Sequence, residues 1–273
     1  MAPAATPEPS ATDPDPRVDA AVLDGGVALV TLHHPRVHNA LTQAMWVALG
    51  ETVARLDADP TVAAIVLHGA GEHFSSGADI TDLPDDAEAF GALLERTETT
   101  IAQCATPVVA AIAGTCVGGG CGLAVAAHQR FATSSARFGI TASRIGIVYP
   151  ARPTRRLVEL VGPSTARRML TAGEILDADW ALRVGLVDEL VVPSPQSAPG
   201  TAVLQRALDH AALLAGRSAV SVRAALALTG AGTAPGEAEG VAAADYREGR
   251  AAFLAGRAPQ FPSRQTPDTA PPA

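Results

Sequence analysis

A chain of 273 residues with 48% hydrophobic content is long enough to bury one large core, and at 4% aromatic content that core must be built from Ala, Val, Leu and Ile. A net charge of −8 and a pI of about 5.3 argue against a nucleic-acid-binding surface. All 20 basic residues are Arg. Lys is therefore excluded as Schiff-base former or general base, and an anionic phosphate must be met by Arg, His or backbone N–H groups.

Segments 1–16 and 265–273 are Pro-rich and polar and read as disordered tails, because they cannot bury enough surface to offset the entropy of ordering. The first of them has neither a basic start nor an apolar centre, unlike a signal peptide. No apolar run approaches the roughly 18 residues of a membrane span. The expectation is a cytoplasmic protein with no nucleic-acid or membrane partner.

Between the tails, 27–32 reads as a strand, 35–39 as a turn, and 44–57 as a helix with Met45, Leu49, Val53 and Leu56 on one face. A strand at 62–68 follows, then a loop leading into a helix over 82–103. Next come a strand at 107–113, a buried helix of small residues at 119–127, and a short strand at 130–133. This alternation indicates an α/β architecture. After Pro150 the pattern changes. Segments 154–161, 164–171 and 177–184 read as helices, 186–191 as a last strand, and 203–215, 220–228 and 242–254 as helices. The division expected is a tail at 1–16, an α/β core at 17–192, a helical region at 193–264, and a tail at 265–273. Cys104, Cys116 and Cys121 have no metal-ligand spacing and read as small apolar fillers in a reducing compartment, so no metal is expected.

Two turns rich in small residues carry the chemistry: Phe74-Ser75-Ser76-Gly77-Ala78-Asp79 and Val117-Gly118-Gly119-Gly120-Cys121-Gly122. Each follows a strand-like run. Small residues there let main-chain N–H groups converge, and two such donors make an oxyanion hole for a carbonyl oxygen that becomes negative. A phosphate loop is the rival reading, but the Walker pattern needs a Lys that this chain lacks.

With these turns, the segments Asn39-Ala40-Leu41, Phe138-Gly139, 169–191 and 245–253 stand in an order and spacing that resemble the crotonase (enoyl-CoA hydratase/isomerase) superfamily. The resemblance runs from about Val27 to Phe261. It implies a spiral of ββα units with a helical C-terminal trimerisation region, and hence a homotrimer or a hexamer. It implies an acyl-CoA substrate, with coenzyme A as part of that substrate and no permanently bound cofactor. The N–H groups of Ala78 and Gly119 would be the oxyanion donors. His38, Ala40, Ala78, Asp79, Ile80 and Gly119 match positions along the CoA path. Phe253 and Arg257 match a C-terminal stretch that reaches a neighbour's CoA; Gly256 stands where the family often has Lys, with Arg257 beside it.

The chain departs from the family at both acid–base positions. The glutamate two residues after the Gly triplet is Gly122, and the one four residues after Phe138 is Ala142. Hydration needs a base for water and an acid for the α-carbon, and neither residue can be either. His128 stands where the family has Asp and reads as a structural His. The acidic run of Asp82, Asp85, Asp86 and Glu88 reads as a solvated lid edge. Tyr149 lies in the loop that closes over the acyl group in the family, either orienting a carboxylate or packing at the pocket rim. Three functions stay open on these residues: enolate chemistry of the hydratase/isomerase type, decarboxylation using Tyr149, and acyl-CoA binding without catalysis.

Overall fold

The computed structural model describes residues 16–193, 196–230 and 239–264. The expected tails, apart from Pro16, lie outside the described residues. The chain opens with an antiparallel pair, β1 (Arg17–Leu23) and β2 (Val27–His33), turned by Gly25 and Gly26 at positive φ. After α1 (Gln43–Ala58), β3 (Ala64–Gly69), α2 (Ala87–Ala102) and β4 (Val108–Ile112) follow. Then come β5 (Thr115–Val117), α3 (Gly119–Ala126), β6 (Gln129–Thr133) and β7 (Arg137–Gly139).

A long helix, α4 (Ala151–Ala172), is broken at Gly162, whose φ of 76° leads into Pro163. That break separates the two consecutive helices expected there. β8 (Leu176–Asp177), α5 (Ala178–Arg183) and β9 (Glu189–Val191) complete the core. The remaining helices are α6 (Pro199–Ala215), α7 (Ala219–Thr229) and α8 (Glu239–Leu254).

The larger sheet has the order β1-β2-β3-β4-β6-β9 and is parallel from β2 onward. Parallel strands are covered on both faces, and alternate side chains divide accordingly. Ala28, Val30, Leu32, Ile65 and Leu67 pack with α1, α2 and α3, while Val27, Leu29, Ala64, Val66 and Val109 pack with Val203, Ala207 and Ala211 of α6. Among the described residues, no single helix is long and apolar enough to cross a membrane.

A second, shorter layer runs β5-β7-β8. Two isolated parallel bridges, Leu41 with Ala78 and Ser75 with Cys116, extend it toward the first turns of the chain. Successive strand pairs feeding a helix repeat along the chain, which is the ββα spiral expected. The short strands β5 and β7 were not expected from the sequence, and β5 carries the Ser75–Cys116 bridge that aligns the two turns.

Candidate active site

Register brings the two turns together. Ser75 N–H donates to the Thr115 carbonyl (2.9 Å), and Val117 N–H donates to the Ser75 carbonyl (3.0 Å). Ser75 and Cys116 are therefore level, and the chains run parallel. Three residues further along each lie Ala78 (75 + 3) and Gly119 (116 + 3). On its other side the first turn is held by Leu41. Leu41 N–H donates to the Gly77 carbonyl (2.7 Å), and Asp79 N–H donates to the Leu41 carbonyl (2.9 Å). In that pattern the N–H of Ala78 points away from Leu41, toward the second turn.

Gly119 is the first residue of α3, so its N–H has no partner within the helix. Neither amide donates to another described residue. The backbones approach closely: a Cβ on Gly77, at φ 98°, would lie 2.9 Å from the Gly119 nitrogen, and one on Gly119 would lie 2.7 Å from the ring of Trp46 and 3.8 Å from the Ala78 nitrogen. Glycine is required at both positions by these approaches. The positive end of α3 adds to the field at the same point.

One turn further along α3, a Cβ on Gly122 would fall 2.1 Å from Oε1 of Glu98 and 2.4 Å from the Tyr149 hydroxyl. Glu98 comes from α2, with a side chain only 1% exposed. Tyr149 O–H donates to Glu98 Oε1 (3.2 Å). Oε2 has no hydrogen bond, and Nη1 of Arg156 is 3.9 Å away. Burial pushes the Glu98 carboxyl up to about 8, opposed by Arg156 and the Tyr149 hydroxyl and reinforced by Glu95. Burial and the Glu98 charge hold the Tyr149 phenol well above its ordinary value.

Residues 23–264 match the profile of the family described as Enoyl-CoA hydratase/isomerase. The chain belongs to the enoyl-CoA hydratase/isomerase family. A probable enoyl-CoA hydratase of Mycobacterium tuberculosis is 32% identical over 254 residues, covering 88% of this chain and 96% of that protein. A crotonyl-CoA hydratase of Syntrophomonas wolfei is 31% identical over 252 residues, covering 87% and 95%. The crystal structure of an enoyl-CoA hydratase from Bacillus anthracis superposes with a TM-score of 0.79 at 25% identity, covering 91% of this chain and 99% of that one. The crotonase fold is thus established, and with it an acyl-CoA-processing enzyme of the lyase or isomerase type.

Within this family frame, the other expected site residues take varied places. His38 and Asn39 are both left-handed, at φ 54° and 56°. The Asn39 side chain accepts from His34 N–H and donates to the carbonyls of Ala70 and His73, which ties the turn before Ala40 to the loop after β3. His38 stacks on His73 with ring centroids 3.8 Å apart. Asp79 Oδ1 accepts from the N–H and hydroxyl of Thr81 and caps a short 3-10 turn, Ile80–Asp82. Ile80 is 67% exposed.

Ala142 begins the 3-10 turn Ala142–Ile145 and offers no proton-moving group. His128 accepts from Val108 N–H through Nδ1 (2.9 Å), and burial lowers it to about 4, so it is a neutral structural His as expected. Phe253 is exposed on α8, and Arg257 forms a two-pronged pair with Glu248.

Asp85, Asp86 and Glu88 are exposed, and two members of the acidic run also serve helix starts. Asp82 accepts from the Gln43 N–H that opens α1, and Asp86 caps α2. Of the two readings for Tyr149, the structure departs from a hydroxyl at the pocket rim: that hydroxyl is buried and donates to Glu98. A carboxyl the sequence reading did not single out, that of Glu98, lies beside Gly122. The signal for Glu98 was available: it sits on the apolar face of α2 with Phe90, Leu94, Thr97 and Ile101, a position that burial denies to an unpaired carboxylate.

Proposed function

We propose that this enzyme stabilises the enolate of an acyl-CoA thioester, with the carbonyl oxygen held between the N–H groups of Ala78 and Gly119. The observation that carries the reading is the pair of unpartnered amides brought level by the Ser75–Cys116 bridge. Each donor of such a hole contributes about 10²–10³ in rate. The Tyr149 hydroxyl already donates to a carboxyl, and a substrate carboxylate placed there would face Glu98, which weighs against decarboxylation. The reading as a binding protein without catalysis rests on the lack of acids, and the buried Glu98 beside Gly122 weighs against it. His38, Ala40, Asp79 and Ile80 line the CoA path in this reading. Phe253 and Arg257 serve a neighbour's CoA in a homotrimer or hexamer, and no cofactor other than the CoA of the substrate is needed.

The test is infrared spectroscopy of hexanoyl-CoA labelled with ¹³C at the thioester carbonyl. The hole lowers the C=O stretching frequency on binding. An unchanged frequency in the saturated complex would show that the oxygen lies elsewhere.

A further inference from the structure

We propose that the Glu98 carboxyl, held by the Tyr149 hydroxyl in the space left by Gly122, is the group that moves the substrate proton in this site. The proposal rests on the thioester reading above. Residue 122 lies one turn after Gly119, so the two share a face of α3. The Cα–Cβ direction on a helix tilts toward its N-terminus, so the space above Gly122 opens toward the Gly119 amide. The rise of three residues is about 4.5 Å, so Gly122 and the Glu98 carboxyl beside it stand about one helical turn from the Gly119 amide. Glu98 therefore brings, from a different helix, a carboxyl to the point where a side chain at 122 would stand.

The surroundings suit a group that both takes and gives a proton. Facing the carboxyl are Tyr149 from the loop before α4, Arg156 from α4, Gly122 from α3, and Glu95 from α2 itself. Oε2 is buried and carries no hydrogen bond, so no described protein group fills its acceptor position. With the carboxyl raised to about 8, both protonation states are within reach near neutral pH, as general acid–base work requires.

One carboxyl and one oxyanion hole complete a 1,3-proton shift. The carboxylate takes a proton from the α-carbon of a 3-enoyl thioester, and the C–H electron pair moves onto the thioester oxygen as a dienolate. The same carboxyl then returns the proton to the γ-carbon. The carbonyl re-forms and the double bond ends between the α- and β-carbons. No water or co-reactant is consumed. Hydration would require a second group to hold water, and Ala142 supplies none. The geometry therefore points to isomerisation of 3-enoyl-CoA substrates ahead of hydration.

The experiment uses the full chain with hexanoyl-CoA in D₂O, read as α-proton exchange, and with trans-3-hexenoyl-CoA, read as isomerisation. Wild type is expected to perform both. Glu98→Gln should lower both by about 10²–10⁴ while calorimetry shows hexanoyl-CoA still bound. Gly122→Ala keeps Glu98 but sets a methyl against its carboxyl, and should also lose rate. Tyr149→Phe removes a hydrogen bond that favours the carboxylate, and should move the rise of rate with pH to more alkaline values. A Glu98→Gln variant at wild-type rate, or a wild type that binds hexanoyl-CoA without exchange, overturns the role of Glu98 and leaves the hole standing. A wild type that binds no thioester overturns the reading beneath both.

Discussion

Glycine at 122 and glutamate at 98 are two halves of one arrangement, since a Cβ at 122 and the carboxyl of Glu98 claim the same space. The sequence shows the missing glutamates at 122 and 142 as plainly as it shows the glycine turns. It does not show the replacement, because residue 98 is 24 positions from 122 (122 − 98 = 24) and the two meet only through packing of α2 against α3. The exchange has a stability consequence. The Glu98 carboxyl has a folded value of about 8 against 4.5 unfolded, so the folded state holds the extra proton between those values. Stability therefore falls as pH rises from about 4.5 to about 8 and levels off above. Each pKa unit is worth about 1.4 kcal/mol, so the loss amounts to several kcal/mol at most. Glu98→Gln should flatten this dependence. Urea unfolding at pH 5 and pH 9 checks it, and equal losses in the variant and wild type would contradict it.

At the scale of elements, periodicity reveals the long helices and the buried strands. α1 shows its apolar face in Met45, Leu49, Val53 and Leu56, and β2 is buried along its length. β1 is half-exposed along an edge, and β5 and β7 have three residues each. A three-residue strand is too short to carry an alternation, yet these strands and the Ser75–Cys116 bridge set the level of the two amides. α2 carries Glu98, and its start depends on Asp86, which accepts from the N–H groups of Glu88 (3.0 Å) and Ala89 (2.9 Å). Asp86→Ala should cost about 1 kcal/mol, measurable by urea unfolding. A cost near zero would show that packing of α2 alone fixes its first turn.

At the scale of the whole molecule, the C-terminal helices leave apolar side chains uncovered. Phe253 is 86% exposed and Leu254 and Tyr246 are each 72% exposed. Association into a homotrimer or hexamer would cover this face, and sedimentation at micromolar concentration should find three or six chains. A monomer would contradict that assembly and remove the role of Phe253 and Arg257 at a neighbour's CoA. The central claim is that two backbone amides and one displaced carboxyl form a single site. A crystal structure with hexanoyl-CoA tests it most directly. The account predicts the thioester oxygen within hydrogen-bond distance of both the Ala78 and Gly119 nitrogens, about 2.7–3.2 Å, and a Glu98 carboxyl oxygen within about 4 Å of the α-carbon. A thioester oxygen away from either amide, or another side chain between Glu98 and the α-carbon, would contradict it.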